Sequence, residues 1–592
     1  MKQTLKSMVF LMMVLGALAS VAWGGQPTIQ WAVSAGYPGT PSKVVTDAQG
    51  NVYVTGSTYS ADTATATSTA DMLTAKYDSK GVKQWEVTYN NPLNAGFDAG
   101  YNLVVDTAGN VYVAGTSYTS PAYYIGVCST VVKYSPAGEQ LWAARYADSV
   151  FGSHYGGLDI DASGNVYVSL TTIYDSAPNN TAIDGVVVKY DANGNRVWKY
   201  LLDIGHYGDD WAAKTMVKNG FVYVSGTFNG GDHGYGDNMR NSMVWKFTLD
   251  GQLVWKAIHD GGGADYASDF TVDGQDNLYI TSMSDRLLTG TTMWNTYLYD
   301  FATAKFDANG QLVWNSRYKN AGTGNHSPSS IAVDAVGNVY VTGTSDGDGN
   351  TGKDLATVKY RGTDGAQLWV DRYNGSANGD ESGGTVLVDA KGDVYVSGTS
   401  VNSGTGQDFT TIKYSPDGTR QWVELYNGAV SGNDILSSMA LDAQGNLLVT
   451  GSNADAAGLP QYLTVKYAAA INVSIDIKPE SRSNVINIDW EGGLPVAIFG
   501  SEHFNVRDID PATLELKGLK VKTVGKSDKR LAHYEYVNHD GYEDLVVQFD
   551  HGDNAFSLGD TTAELTGKLY DGTLITGSDS VRVVSREHDD DH

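Results

Sequence analysis

Three sets of side chains in this 592-residue sequence have types and spacings that could do chemistry. The first lies eight residues before a recurring aspartate. That position holds Gly39, Asp98, Ser153, Asp209, Asp265, His326, Glu381 and Asp434. Acids at equivalent places around a ring would crown one opening and attract a cation or a basic ligand. The competing reading is that each acid caps its own turn or tethers a neighbour. The second set comprises His206, Tyr207, Trp211, His233, Tyr235, His259, Trp294 and Tyr297. Aromatic bodies with polar tips suit a sugar or peptide ligand. The histidines could also act as acid and base. The plain alternative is degenerate loop sequence. The third set is Asn538-His539-Asp540-Gly541-Tyr542-Glu543-Asp544. Oxygen-bearing side chains at alternate positions around a turn glycine suit a hard cation. Tyr536 stands where the first carboxylate is needed, so at most weak calcium binding by Asn538, Asp540 and Asp544 is expected. Asp550 or Asp553 could supply the missing oxygen, and the same residues also suit an ordinary turn. No other cofactor is expected.

What is missing narrows the chemistry. The sequence has no nucleophile elbow, no His-Glu-x-x-His and no phosphate loop. Its one cysteine, Cys128, leaves no disulfide within the chain. A net charge of -27 opposes nucleic-acid binding. Lys2 and Lys6, the apolar run Val9 to Val21 and the small residues Ser20-Val21-Ala22 read as a signal peptide over residues 1–22. Export is therefore expected, to the periplasm, the cell surface or the medium. No later segment approaches the roughly 18 apolar residues of a membrane span.

The elements that must position these residues are set by a repeat. Asn-Val-Tyr-Val occurs at Asn51, Asn110, Asn165 and Asn338. Variants begin at Phe221, Asn277, Asp393 and Asn446. In the sixth copy, Ser330–Asp334, Asn338–Thr344, Leu355–Tyr360 and Gln367–Tyr373 are rich in β-branched and aromatic residues and bounded by turn formers. Four short strands per repeat, arrayed in a ring, make propeller blades. A tryptophan follows a turn glycine by four residues at Gly81/Trp85, Gly138/Trp142, Gly194/Trp198, Gly251/Trp255, Gly310/Trp314, Gly365/Trp369 and Gly418/Trp422. The last repeat lacks this strand, whereas Ile29–Val33 carries an orphan Trp31. The expected fold is all-β: an eight-bladed propeller over residues 26–467, closed by that N-terminal strand, because closure removes exposed strand edges. The repeated lysines (Lys76, Lys133, Lys189, Lys246, Lys305, Lys359, Lys413, Lys466) are expected to stack on aromatics or pair with turn aspartates.

The Asp-x-x-Gly-Asn-Val-Tyr-Val-Thr-Gly and Val-Lys-Tyr signatures resemble the bacterial SBBP-type β-propeller repeat family, over about three-quarters of the chain. The resemblance implies the fold and no particular activity. That family is commonly treated as seven-bladed; this chain has eight copies. The Gly-x-x-x-Trp spacing is also similar to docking motifs of eight-bladed quinoprotein dehydrogenases and of a periplasmic outer-membrane assembly propeller. The vicinal cysteines of many quinoprotein alcohol dehydrogenases cannot exist with one cysteine. Beyond Ala468-Ala469-Ala470, the segments Ile475–Pro479, Leu494–Ser501 and Gly577–Ser580 resemble a C-terminal β-domain common to exported bacterial proteins. An antiparallel sandwich over residues 471–586 is expected, followed by an acidic, histidine-bearing tail at 587–592. These observations favour an exported, non-enzymatic binding or interaction scaffold. Its ligand would be a protein, a glycan or a cationic molecule at the propeller mouth. The rivals are an exported lyase or hydrolase acting on polysaccharide and a purely structural surface protein.

Overall fold

The computed structural model of the chain describes residues 27–62, 67–91, 97–118, 127–146, 153–173, 183–202, 210–229, 240–261, 263–287, 297–319, 324–347, 352–428, 430–468, 471–479, 481, 483–489, 492–502, 504–524, 529–550, 555–570 and 573–585. The expected signal peptide, the tail, and the expected ligand residues His206, Asp209 and His233 lie outside the described residues. So do Tyr207, Tyr235, Trp294 and Asp553.

The described residues are organised almost entirely in strands, with one 3-10 turn at Val506–Asp508. No helix among them is long and apolar enough to cross a membrane. From Asp98 to Tyr426 the chain forms six antiparallel four-stranded sheets, each with its strands in chain order. Two examples are Asp98–Val105, Val111–Tyr118, Val127–Tyr134 and Gln140–Arg145, then Asp265–Val272, Leu278–Leu287, Tyr297–Phe306 and Leu312–Tyr318. A seven-stranded sheet unites the two ends of the array. Its central member, Thr28–Thr46, pairs through Thr28 to Pro38 with Pro460–Ala468, and through Gly39 to Thr46 with Val52–Asp62. Trp31 stands opposite Lys466. The strand changes partner near Gly36, whose φ of +79° is open to glycine at little cost.

The repeated signature is a self-contained turn. Asp106 Oδ1 accepts from the Ala108 and Asn110 N–H groups, while Oδ2 accepts from Asn110 Nδ2 at 2.8 Å and the Tyr112 hydroxyl at 3.1 Å. The same bonds recur at Asp47, Asp161, Asp273 and Asp334. Short polar side chains that bind their own backbone fix a turn. The tyrosine ring they hold then lies under a lysine of the third strand, as Lys133 lies 4.8 Å from the Tyr112 ring.

Successive sheets are joined by one docking device. Six of the motif tryptophans donate the indole N–H to a carbonyl in the turn before the fourth strand of the next sheet, among them Trp85 to Pro136, Trp142 to Ala192, Trp255 to Ala308 and Trp314 to Gly362. Trp31 does the same to Ser79 at 3.1 Å, across the junction of the chain's two ends. The lysine often shares that carbonyl, as Lys133 does at Ala192 and Lys359 at Pro416. The indole lies against the turn glycine, where any Cβ would collide with it. Gly and Trp of one motif therefore serve opposite neighbours.

Hydrophobic cores lie between sheets rather than within them. Tyr112, Ala114 and Val131 pack with Leu158, Val168 and Val186 of the following sheet. Val44, Val54 and Leu73 pack with Leu448 and Tyr462 across the two halves of the seven-stranded sheet. The first strands are also tied to one another. Asp159 Oδ2 accepts from the Val217 N–H at 2.7 Å, Asp269 Oδ2 from Ile331 at 3.0 Å, and Ser438 Oγ from Val44 at 3.3 Å. The last of these links the final repeat to the first. Beyond residue 470, a five-stranded and a four-stranded sheet enclose a core drawn only from residues 473–583, including Ile477, Val496, Leu514, Phe549 and Ile575.

Candidate functional site

The acidic positions come first. Asp98, Asp265, His326, Glu381 and Asp434 stand at or just before the start of their sheets' first strands, and all are buried. The four acids do not crown an opening. Asp98 Oδ2 accepts from the Asn91 N–H at 3.0 Å, Asp265 Oδ2 from Gly261 at 2.7 Å and Asp434 Oδ2 from Gly428 at 2.6 Å. Glu381 Oε1 accepts from the Val401 N–H at 3.1 Å. His326 Nδ1 lies 2.8 Å from Ser345 Oγ. All four acids thus hold the connection that leads in from the preceding sheet, and Glu381 and Asp434 also hold the end of their own second strand. The expected negative mouth is corrected to a set of internal tethers. In the fourth repeat the place belongs to Asp210. Its N–H donates to Ile183 as Glu381 donates to Lys353 and Asp434 to Gln407. That repeat turns through Lys218-Asn219-Gly220 without the usual aspartate and one residue sooner, so a fixed count back runs one residue too far, to Asp209.

Burial sets the ionisation of these acids. It pushes Asp265 and Asp434 up to about 6 and Glu381 up to about 7, with their amide hydrogen bonds offsetting only part of the effect. Asp98 is raised for the same reason. An unfolded carboxyl titrates near 4. Between roughly pH 4 and pH 7 these carboxyls therefore hold more protons in the folded chain than in the unfolded one. By linkage, stability falls as pH rises through that window, and the loss is complete above the folded values. The melting temperature is expected to drop between pH 5 and pH 8, and Glu381→Gln is expected to flatten part of that drop. A scan in which both proteins show the same slope would refute the assignment.

A second feature lies at the same end of neighbouring sheets. Trp211 opens the strand Trp211–Lys218, Arg240 opens Arg240–Thr248, Tyr266 is second in Asp265–Val272, and Tyr299 is third in Tyr297–Phe306. The Arg240 guanidinium lies 4.7 Å from the centroid of a Trp211 ring and 5.6 Å from that of Tyr266. Its Nη1 is 3.4 Å from the Tyr266 hydroxyl. The Tyr266 and Tyr299 rings meet edge to face at 6.2 Å. All four side chains are half-buried, so together they form a continuous, partly open aromatic shelf. Beside it is a small cavity of about 60 Å³ lined by Tyr299, Asn325, His326, Asp346 and Lys353.

Of the second expected set, the structure places Trp211 on this shelf. His259 is elsewhere: it is buried, with Nδ1 3.1 Å from Ser282 Oγ and Nε2 3.3 Å from Asn315 Oδ1. Burial, its main influence, lowers its pKa to about 4. A neutral imidazole held on both nitrogens is a packing group, which corrects its expected place among ligand-binding residues. Arg240, Tyr266 and Tyr299 escaped the sequence reading. Each looks like an ordinary strand residue, and only sheet register brings them together.

The calcium-like loop is wired to itself. Asp544 is buried, with Oδ1 accepting from Gly500 N–H at 3.0 Å and Oδ2 from Val537 at 2.8 Å. Asn538 Nδ2 donates to Asp540 Oδ2 at 2.9 Å, and Asp540 Oδ1 accepts from Tyr542 N–H at 2.8 Å. His539 and Gly541 take positive φ to make the turn. Asp544 is thus a clamp between this loop and Gly500 rather than a free ligand. Among the described residues no group of three or more His, Cys, Asp or Glu converges on one point. Millimolar calcium is expected to raise the chain's melting temperature by less than ~1 °C, whereas Asp544→Asn lowers it by several degrees with or without the ion. A larger calcium shift that Asp540→Ala abolishes would restore the loop as a metal site.

Comparison with known proteins adds the following. Residues 316–350 match the SBBP family, a beta-propeller repeat. No curated protein matches the chain. Among solved structures, the chain is similar to BamB from Moraxella catarrhalis, with 14% identity, 75% of this chain and 99% of that one covered, and a TM-score of 0.38. It is similar to quinohemoprotein alcohol dehydrogenase from Comamonas testosteroni, with 12% identity, coverage of 74% and 76%, and a TM-score of 0.44. A polysaccharide lyase, ulvan lyase, is similar at 12% identity, with coverage of 67% and 96% and a TM-score of 0.37.

Proposed function

We propose that these β-propeller repeats form a closed ring of eight blades, the first and last sharing the strand Thr28–Thr46, with a sandwich-like C-terminal domain over residues 471–586. The shared strand supports this count, because each half of the seven-stranded sheet completes a four-stranded unit. The protein acts as an exported, non-enzymatic binding scaffold, and its ligand is a glycan held at one end of the propeller. Export rests on the leader-like residues 1–22.

The observation that carries the binding role is the Trp211–Arg240–Tyr266–Tyr299 shelf. Sugar rings present flat C–H faces that pack on aromatic side chains, while their hydroxyls need polar tips nearby. The shelf offers both, on strands that hold their side chains in fixed register. The test is a glycan-array screen followed by calorimetry. Trp211→Ala and Tyr266→Ala are each expected to weaken saccharide binding by at least ~10-fold, the cost of losing one good aromatic contact. Saccharide binding indifferent to both changes would overturn the reading. Release of cleaved oligosaccharide during the same incubations would establish the catalytic rival instead.

A further inference from the structure

The shelf carries a charge that the rest of the molecule makes conspicuous. The chain has 67 acidic and 40 basic residues, and several of its described arginines are matched with acids. Arg317 faces Asp300, Arg372 faces Asp354, Arg420 faces Asp371 and Arg507 faces Glu543. Arg240 differs. No carboxylate among the described residues lies within ion-pairing distance of it, and its partners are two aromatic rings and a tyrosine hydroxyl. The rings constrain the guanidinium, and the hydroxyl is placed to take one of its donors. The remaining donors form a planar fork, the shape that recognises an oxyanion through two parallel bonds.

From this we infer that the glycan bound at the shelf is acidic, and that Arg240 grips a carboxylate or sulfate on it while Trp211, Tyr266 and Tyr299 contact the sugar rings. The inference rests on the glycan-binding reading above. Net charge does not oppose it. At physiological ionic strength the Debye length is about 8 Å, so distant surface acids are largely screened while a direct guanidinium–oxyanion contact is not. Arginine rather than lysine suits the place, because a flat ion can pack on a ring and still present its edge. The neighbouring Lys353, exposed at the adjacent cavity, gives the same end a second cation.

Calorimetry on the full chain tests this with three probes: an oligogalacturonate, its methyl ester, and a sulfated chondroitin oligosaccharide. One of the acidic probes is expected to bind ~10- to 100-fold more tightly than the neutral ester, the range set by one charge-assisted pair. Which acidic probe wins separates carboxylate from sulfate. Arg240→Gln should erase the preference for charge, bringing the acidic probe down to the affinity of the ester, and Arg240→Lys should restore part of it. Trp211→Ala should weaken all probes together. Equal binding of acid and ester, unchanged in Arg240→Gln, would overturn the acidic-glycan inference and leave the glycan site standing. Binding of an acidic peptide but of no saccharide would overturn both.

Discussion

Deleting residues 26–35 is expected to lower the melting temperature by more than ~10 °C and to drive the chain into mixed oligomers larger than the intact protein. The deleted segment is half of the strand Thr28–Thr46, the half paired with Pro460–Ala468 from Thr28 to Ser34. Its loss removes those backbone bonds together with the Trp31 indole bond to Ser79. It also uncovers part of the apolar cluster that Trp31, Val33 and Ala35 cover, over Leu448 and Tyr462. Pro460–Ala468 then becomes an open edge, and an open edge recruits another chain. Trp31→Ala separates the side-chain part from the backbone part, and should cost about 2–4 kcal/mol, the range of a large-to-small change at a partly buried aromatic. Calorimetry and size-exclusion chromatography read both effects. An unchanged melting temperature in the deletion would mean that the terminal strand is not what closes the array.

Gly194→Val is the second large effect, with little or no soluble protein expected. Gly194 sits at φ +84°, and an added Cβ would lie 2.7 Å from Cδ2 of Trp142. Left-handed backbone alone costs a residue with a Cβ roughly 1–2 kcal/mol. The clash adds more, because the indole can leave only by giving up its 3.0 Å bond to Ala192, which Lys133 also uses. Together these exceed about 4 kcal/mol, a size reserved for broken cores and strained backbone. Gly458 is the internal control. It occupies the same kind of turn at φ +78°, but no atom lies within 4 Å of its added Cβ. Gly458→Val should therefore show only the backbone cost. Equal losses at the two positions would show that docking of the tryptophan contributes nothing beyond backbone strain.

Periodicity explains which features were legible in the sequence. The turn Asp-x-x-Gly-Asn-x-Tyr announces itself because all its hydrogen bonds fall within seven residues, as at Asp106 to Tyr112. The lysine of the third strand recurs with its tyrosine, so a shared structural role could be read for both. The orphan Trp31 found its partner because the last repeat lacked what the N-terminus had. The acids at 98, 265, 381 and 434 were found by the same periodicity, but a repeat says only that positions are equivalent. It does not say whether they face water or the interior, and here they face in. The shelf was hidden for a different reason. Trp211, Arg240, Tyr266 and Tyr299 come from four strands of two sheets and share no spacing. Their union depends on how strand ends line up across a sheet junction, which no local pattern records.

The single strand that serves two partners also orders events in time. Residues 28–38 leave the ribosome, and any export channel read from the N-terminus, long before Pro460–Ala468 exist to receive them. Every sheet between can pair locally as it emerges, since its strands are consecutive. The closing contact spans more than four hundred residues, a separation that makes it slow to find and costly in chain entropy. Until it forms, the nascent array carries an unpaired strand at one end and an incomplete sheet at the other. Closure can therefore begin only after every other strand of the array has emerged, and it is the step at which neighbouring nascent chains could exchange ends.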